Sequence, residues 1–381
     1  MKGALSGIRV LDFSTLLPGP MATLILAEAG AEVIKVERPG RGEEMRSYVP
    51  KWGGSDSSNF HLLNRGKKSI ALDLKDPTER ARLVPLIESA DIVMEQFRPG
   101  VMARLGLSYD DMKAINPDII YCSITGYGQT GPKAMSAGHD LNYQGDAGMA
   151  ALSLGTPEVP VMPPALTADI AGGTYPALVN ILMALWRREK TGMGAQIDIA
   201  MAENLFPFLY WAQGEGQVTS DWPGNGDALV TGGTPRYRLY PTADDRFAAI
   251  APIEQKFWES FCEAIGLDPA LRDDSKDPEA TTAGVAAILR SQSAAHWAPI
   301  FEAADCCCSI VRTLEEAMAD PHFRERGVFA ARIASAAGEE MPALPVPVIP
   351  GFREGGDAPR SAPALGADTD SCLGAAPEGK D

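Results

Sequence analysis

Short apolar runs alternate with longer helical patterns through the first third of the chain. Ile8–Phe13 and Glu32–Val36 have the composition of buried strands, and the segment Met21–Ala29 between them has a helical pattern that Gly30 ends. Strands joined through a helix run parallel, because the helical crossover returns the chain to the same edge of the sheet. The opening of the chain therefore predicts a βαβ unit.

The same alternation continues beyond this unit. Further strands are predicted at Ser69–Leu74, Asp91–Glu95, Asp118–Ile124 and Gln196–Ile199, and further helices at Asp76–Ala90, at Val101–Ile115 as a pair, at Asp169–Thr191 and at Met201–Trp211. The helix Asp169–Thr191 is apolar almost all round, which is typical of a core helix. An alternation of this length predicts a doubly wound α/β domain with a parallel sheet.

A second, smaller domain is predicted toward the carboxyl end, since 381 residues exceed one small core. We take residues 1–213 as the large domain, 214–235 as a linker rich in Gly, Asp, Thr and Pro, and 236–330 as the small domain. The small domain is predicted to pair two strands within 237–251 and to continue with helices as far as Asp320. Residues 331–381 become rich in Pro, Gly and Ala and are predicted to form a strap or tail.

Charge and cysteine content exclude several classes of protein. The formal net charge of −16 argues against nucleic acid and anionic membrane surfaces as partners, although a local basic pocket for an anionic ligand is compatible with it. The apolar opening segment is interrupted by Pro18–Pro20 and is too short for a membrane helix or a cleavable signal. Cys306, Cys307 and Cys308 fit neither a disulfide framework nor a metal site, so we expect reduced, structural thiols, no metal and a cytoplasmic location.

Proton-transfer chemistry is indicated by the tripeptide Gly138-His139-Asp140 together with a second carboxylate at Asp169. A histidine and a carboxylate on opposite sides of an acidic carbon can remove a proton and return one. A single histidine in a polar loop is more often structural, but His139 lies in a glycine-rich stretch where backbone can approach a ligand. Asp169 lies near the amino end of the predicted helix Asp169–Thr191, where a carboxylate can serve as a cap or as a catalyst.

The segment Gly126–Gly131 matches the pattern of a dinucleotide-binding loop letter by letter. Such a loop should open a helix after the first strand of the sheet, whereas this one follows the fifth predicted strand and leads into Pro132. We therefore predict a turn-forming loop beside the active site and no bound nicotinamide or flavin nucleotide.

Many separate motifs, in an unchanged order from about residue 5 to about residue 330, resemble the family III CoA-transferase superfamily of the CaiB/BaiF type, which also contains the α-methylacyl-CoA racemases. These motifs are Leu5–Asp12, Pro18–Pro20, Gly30–Pro39, Asn64–Ser69, Arg98–Val101, Leu105–Ser108 and Gly126–Pro132. The resemblance implies a Rossmann-like large domain, a smaller domain, a carboxyl-terminal return to the large domain and an interlocked homodimer.

The resemblance also implies an acyl-CoA substrate, with no separate cofactor because CoA arrives as part of the substrate. By matched position, Arg38 and Arg98 are expected to approach the CoA nucleotide, since guanidinium groups suit both phosphate and adenine. Gly138 and Asp140 are counted with these CoA contacts. Backbone N–H groups around Gly138–Asp140 are expected to stabilise an enolate oxygen.

Both branches of the superfamily keep an aspartate at the position of Asp169, as a nucleophile in the transferases and as a proton-transfer group in the racemases. Racemases carry Gly-His-Asp where this chain has Gly138-His139-Asp140, and transferases generally do not, so His139 favours the racemase branch. The segment Ala251–Phe257 resembles the racemase motif whose glutamate bonds to the catalytic histidine, which implies that Glu254 orients His139. The expected activity is inversion of a 2-methylacyl-CoA; the alternatives are CoA transfer between carboxylic acids and, from a different class, an acyl-CoA binding module.

Overall fold

The computed structural model describes residues 2–54, 56–354 and 358–374. Its strands are β1 (Arg9–Asp12), β2 (Glu32–Glu37), β3 (Lys68–Ala71), β4 (Ile92–Glu95), β5 (Ile120–Thr125), β6 (Ala195–Ala200), β7 (Arg238–Pro241), β8 (Phe247–Ile250), β9 (Cys308–Ile310), β10 (Arg332–Ala334) and β11 (Glu340–Pro342). Its α-helices are α1 (Pro18–Glu28), α2 (Ser58–Asn64), α3 (Pro77–Ala81), α4 (Val84–Ser89), α5 (Val101–Arg104), α6 (Tyr109–Ile115), α7 (Asp140–Asp146), α8 (Tyr175–Thr191), α9 (Tyr210–Thr219), α10 (Gln255–Ile265), α11 (Pro278–Leu289), α12 (Ala294–Ala304), α13 (Leu314–Ala319), α14 (Pro321–Glu325) and α15 (Thr369–Leu373). Short 3₁₀ turns occupy Glu44–Ser47, Ala150–Ser153, Glu203–Leu209, Leu229–Thr231, Pro269–Leu271 and Pro350–Phe352, and a π-helical turn occupies Ala168–Thr174.

The first compact unit contains a six-stranded parallel sheet. It comprises the residues up to Ala147, Ala165–Pro207 and the segment from Pro321 onward. The strand order is β3-β2-β1-β4-β5-β6, with every pair parallel. This is the doubly wound arrangement that the alternation of strands and helices predicts, so the predicted α/β class and parallel sheet are confirmed.

The core of this unit lies on the sheet and is made by apolar residues of successive strands. Leu11 of β1, Ile34 of β2, Ile70 of β3, Val93 of β4 and Tyr121 of β5 are at most 3% exposed and belong to one cluster. Parallel strands covered by helices on both faces are continuously apolar, which explains why these runs could be recognised without strict alternation.

The second compact unit comprises Gly148–Pro164 and Phe208–Asp320. Strands β7, β8 and β9 form an antiparallel sheet, of which the sequence predicts the first two strands and misses the third. Trp258, Phe261, Trp297 and Phe301 from helices α10 and α12 fill its core. The unit therefore combines a small sheet with helices, as an α+β fold does.

Proline accounts for the places where the predicted helices differ from the observed ones. The helix predicted over Asp76–Ala90 is divided into α3 and α4, because Pro85 lies in the first turn of α4 and has no N–H to continue the preceding helix. The helix predicted over Met201–Trp211 is a 3₁₀ turn that contains Pro207, followed by α9, which runs on to Thr219. The residues Gly214–Thr219, predicted as the start of a linker, are therefore helical.

Helix α8, predicted as a core helix, is buried on one face only. Ala177, Leu178, Ile181 and Ala184 are buried, and the helix packs against β5 and β6. Its other face exposes Val179, Leu182, Met183 and Trp186, each between 48% and 66% accessible. With the π-helical turn before it, the stretch Ala168–Thr191 is long and apolar enough to cross a membrane by length and composition, a test that core helices of soluble proteins also pass.

The carboxyl-terminal segment binds the edge strand β3. The N–H of Ser69 donates to Asp368 Oδ2 at 2.9 Å, the N–H of Asp368 donates to Ser69 O at 2.9 Å, and the N–H of Ala71 donates to Thr369 Oγ1 at 3.0 Å. The predicted strap at 331–381 thus includes a segment that lies along this edge, while its residues 355–357 and 375–381 fall outside the described residues.

Candidate active site

A cavity of about 470 Å³ lies at the carboxyl ends of three neighbouring strands. Thr15 follows β1, Gln96 and Phe97 follow β4, and Thr125 and Gly126 lie at the end of β5, and all of them line the cavity. The strand order reverses between β1 and β4, which leaves a crevice where ligands bind in doubly wound folds. The loop Gly126–Gly131 opens no helix, since the next helix is α7, and its first glycine lines the cavity, as predicted.

His139 lines this cavity and precedes the first turn of α7. Its backbone is extended, with φ −126° and ψ 176°. The N–H of His139 donates to Asn142 Oδ1 at 3.0 Å, and the N–H of Asn142 donates to His139 O at 2.8 Å. These reciprocal bonds fix the main chain from which the exposed imidazole projects. They also occupy the His139 N–H, which is therefore not available to an enolate oxygen as the sequence analysis expects.

Asp169 lines the same cavity from the π-helical turn that precedes α8. The turn is anchored at both ends: the Asp169 N–H donates to Asp140 Oδ1 at 2.9 Å, and the Thr174 hydroxyl donates to Pro18 O at 2.8 Å. Within it, a side chain at Gly172 would come within 2.4 Å of Met201 O, so only glycine permits this approach. Single π-helical turns are frequent at functional sites, and this one presents a carboxylate to the cavity.

The electrostatic environment of Asp169 raises the pKa of its carboxyl group toward neutral pH. Burial raises its pKa to about 6, the carboxylate of Asp140 adds to this rise, and His139 opposes it. An aspartate with this pKa is mostly ionised at pH 7 and yet takes up a proton readily. The same group can therefore serve as a base in one direction and as an acid in the other.

Tyr143 also lines the cavity and is not among the site residues predicted from the sequence. Its hydroxyl donates to Gly138 O at 2.5 Å, and its ring meets that of Tyr127 edge-on. Side chains at Gly126 and Gly138 would come within 2.4 and 2.7 Å of the Tyr143 ring, which explains why both positions are glycine. The spacing of Tyr143 four residues after His139, one helical turn away on the same face, is the signal that could have identified it.

The two arginines predicted to contact CoA line different cavities. Arg98 lines the cavity that contains His139 and Asp169. Arg38 lines a second cavity, of about 360 Å³, together with the apolar side chains of Val36 and Leu72. Thr15 and Phe97 line both, so the two cavities are neighbours.

Asp140 and Glu254 differ from the other predicted site residues. Asp140 is only 5% exposed, and its two carboxylate oxygens accept hydrogen bonds from the Asp169 N–H and from Gln144 Nε2. It therefore supports Asp169, whereas Gly138 is part of the cavity wall. Glu254 lies in the second compact unit, immediately before α10, and its role toward His139 stays a prediction.

The three consecutive cysteines also lie in the second unit. Cys306 is buried, Cys307 is exposed and Cys308 begins β9, and all are free thiols. Within the described ranges, no group of three or more His, Cys, Asp or Glu side chains is arranged to hold a metal ion.

Comparison with known proteins identifies the family of the chain. The chain is 36% identical to human α-methylacyl-CoA racemase over 363 residues, which cover 92% of this chain and 89% of that protein. It is 33% identical to acetyl-CoA:oxalate CoA-transferase of Acetobacter aceti over 361 residues, which cover 91% of this chain and 90% of that protein. The crystal structure of Rv3272 from Mycobacterium tuberculosis superposes with a TM-score of 0.82 at 29% identity, covering 98% of this chain and 99% of that one. The model of CoA-transferase family III matches residues 5–369, and the chain therefore belongs to this family of enzymes, in which racemases and CoA-transferases are both similar to it.

Proposed function

We propose that this protein is a racemase that inverts the α-carbon of a 2-methylacyl-CoA thioester by 1,1-proton transfer. The observation that carries the proposal is that His139 and Asp169 line one cavity. Inversion needs two proton-transfer groups around one carbon, whereas CoA transfer needs the aspartate alone. The 36% identity to the human racemase supports the same branch.

The proposed substrate is an acyl-CoA, and two features of the first unit support it. The cavity lined by Arg38 combines a guanidinium with the apolar side chains of Val36 and Leu72, which suits a phosphorylated nucleotide with a flat base. Its neighbour contains Arg98 along with the reacting pair. The substrate would place its nucleotide in the first of these cavities and its thioester in the second, with no further cofactor.

In the proposed reaction one residue of the pair removes the α-proton and the other returns a proton to the opposite face. The electrons of the broken C–H bond move into the thioester carbonyl, which becomes an enolate, and the C–S bond stays intact. Asp169, with a pKa of about 6, exists in both protonation states near neutral pH, as either role requires. Asp140 holds the main chain of Asp169 through the 2.9 Å bond from its N–H.

The alternative is a CoA-transferase in which Asp169 is acylated and then carries CoA as an aspartyl thioester. The 33% identity to the transferase of Acetobacter aceti favours it, because that protein is covered as completely as the racemase. In this reaction His139 would be dispensable, and a second carboxylic acid would be required as acceptor.

The experiment that separates these functions is incubation with one enantiomer of a 2-methylacyl-CoA in deuterated water without any carboxylic acid acceptor. A racemase incorporates deuterium at the α-carbon and loses optical purity while the thioester persists. A transferase incorporates none and moves CoA only after an acceptor is added, and an acyl-CoA binding module does neither.

We also propose that the protein acts as a cytoplasmic homodimer. Helix α8 exposes an apolar face made of Val179, Leu182, Met183 and Trp186. A face of this size exceeds the isolated apolar residues of an ordinary protein surface, which supports the proposal that a second chain covers it. Sedimentation velocity at micromolar concentration should give a dimer of the 40.5 kDa chain. A monomer under these conditions would contradict the proposal.

A further inference from the structure

The loop between β1 and α1 forms part of the wall of the His139–Asp169 cavity in a strained conformation. Thr15 and Leu16 both line this cavity. Leu16 has a φ of 64°, a left-handed conformation that a branched aliphatic residue rarely adopts. Such a residue persists only where its surroundings determine it, and strain of this kind concentrates near functional sites.

A buried ion pair holds this loop from outside the cavity. Lys35 Nζ donates to Ser14 O at 2.9 Å, and the Leu16 N–H donates to Glu43 Oε2 at 3.0 Å. Lys35 Nζ lies 3.4 Å from the same Glu43 oxygen, and the two side chains are 0% and 1% exposed. One ion pair therefore binds the main chain on each side of Thr15.

The contacts of the Lys35–Glu43 pair indicate that it positions the loop between β1 and α1 more than it stabilises the protein. A buried ion pair often stabilises a protein no better than two apolar side chains of similar volume. Apolar side chains, however, cannot bind the carbonyl of Ser14 or the N–H of Leu16. The Lys35–Glu43 pair thus supplies two directed bonds to a strained cavity wall, which packing alone does not supply.

Neighbouring charges would remain paired if Lys35 and Glu43 were replaced together. Asp12 keeps Lys67 as a partner at 3.2 Å, and Glu37 keeps its bonds from Arg46 at 2.7 Å. Asn64, which donates to Glu43 Oε1, also donates to Phe60 O at 3.1 Å. The pair can therefore be removed without stranding a second buried charge.

We propose that Lys35 and Glu43 are positioning residues, which fix the main chain at Ser14 and Leu16 so that Thr15 and Leu16 hold the reacting thioester beside Asp169. This inference rests on the proposed function, since it requires that chemistry occurs in this cavity. Neither side chain lines the cavity that contains His139 and Asp169, although Glu43 lines the neighbouring cavity proposed for the nucleotide. Their effect reaches the thioester through the loop.

The test replaces the pair by apolar residues in the variant Lys35→Met/Glu43→Leu. A displaced cavity wall should lower kcat for α-proton exchange by about 10- to 100-fold, since a misplacement of roughly 1 Å has effects of this size. The loss in kcat should exceed any change in KM for the thioester, because the displaced wall lies beside the reacting carbon, whereas Glu43 is only one of the side chains that line the nucleotide cavity. Hydrogen exchange of the Leu16 amide should become faster in the same variant.

The matched control is Arg65→Met/Glu28→Leu. Arg65 Nε donates to Glu28 Oε1 at 2.9 Å, the side chains are 2% and 9% exposed, and Arg65 also donates to a main-chain oxygen, that of Leu344. This pair is buried in the same unit but does not line either cavity. Its replacement should leave kcat and the Leu16 amide as they are, even if the melting temperature falls.

Unchanged kcat in folded Lys35→Met/Glu43→Leu, or an equal loss in the control, would overturn the proposal. If the double variant fails to fold, the single variant Lys35→Met, which removes the bond to Ser14 O, is compared with Arg65→Met by the same criteria. If the unmodified protein transfers CoA and does not racemise, the proposed function fails, and the variants are compared on transfer, because Asp169 serves both reactions.

Discussion

Two aspartates of the same unit differ in what they do: Asp12 holds neighbouring side chains in place, whereas Asp169 is proposed to take part in proton transfer. Asp12 at the end of β1 is fully buried, with hydroxyl donors in Ser14 and Thr23 and the ammonium of Lys67 at 3.2 Å. Burial alone would raise its pKa, but Lys35, Lys67 and the two hydroxyls lower it to about 2. Asp169 is half-buried beside another carboxylate, and its pKa rises to about 6.

The difference in pKa comes from the partners of the two carboxylates, since burial raises both pKa values and the more deeply buried Asp12 has the lower one. Asp12 is surrounded by cations and donors, so it stays charged and holds its neighbours in place. Among the described residues, Asp169 has only His139 as an opposing positive influence and Asp140 as a repelling one, so its proton is exchangeable near neutrality. A buried carboxylate is thus structural where its charge is fully compensated, and available for proton transfer where it is not.

The largest expected effect is on catalysis by His139 and by Asp169, the aspartate whose charge is not fully compensated. His139→Ala and Asp169→Ala should each slow racemisation by about a hundred- to ten-thousand-fold, as loss of a positioned acid or base does. Each variant should retain exchange only for the enantiomer whose α-hydrogen faces the remaining residue. Deuterium incorporation into each pure enantiomer, followed by mass spectrometry, measures this. Near-normal racemisation by His139→Ala would exclude the proposed mechanism.

The next largest effect is on the free energy of unfolding, which should change in opposite directions when Asp12 and Asp169 are replaced. Asp12→Asn should lower the free energy of unfolding by about 3–5 kcal/mol, because it leaves Lys67 as a buried cation without its carboxylate. Asp169→Asn should raise the free energy of unfolding at pH 7, because it removes a carboxylate whose pKa is higher in the folded state than in the unfolded one. Urea unfolding of both variants at pH 7 tests the contrast, and equal losses would contradict it.

A smaller effect is expected in the pH dependence of activity. Asp169 must be ionised to act as a base, so kcat/KM for the enantiomer that it deprotonates should fall as the pH drops through about 6. Asp140→Asn removes a carboxylate that raises this pKa, so the midpoint should move to lower pH. The pH profile of kcat/KM for each enantiomer provides the measurement. A midpoint that stays in place or rises in Asp140→Asn would show that Asp140 does not influence Asp169 in this way.

The smallest change is expected far from the reacting carbon. Arg38→Ala should raise KM for the acyl-CoA and leave kcat nearly unchanged, because a contact made equally in the ground and transition states contributes uniform binding. Steady-state kinetics with the intact thioester is sufficient. The role assigned to Arg38 fails if kcat and kcat/KM fall equally while KM stays constant.

The sequence predicted the parts of the molecule that depend on local pattern. The central strands of the parallel sheet, such as β4 and β5, were recognisable because every residue in them is buried and the runs are largely apolar, and His139 and Asp169 were recognisable by residue type and motif. The supports of the site were not recognisable. Glu43 meets Leu16 and Asp140 meets Asp169 across 27 and 29 residues of chain, and no local pattern encodes such contacts. The strand β9, only three residues long, has too little pattern to be identified.

The contact of Asp368 and Thr369 with strand β3 has a consequence for biosynthesis. During translation the first seventy residues contain β1, β2 and most of β3, but the segment that covers the β3 edge leaves the ribosome almost three hundred residues later. At a synthesis rate of about 5–20 residues per second, the edge stays open for roughly 15–60 s. An uncovered strand edge is a template for intermolecular pairing, so the nascent chain is exposed to such pairing at β3 throughout that interval.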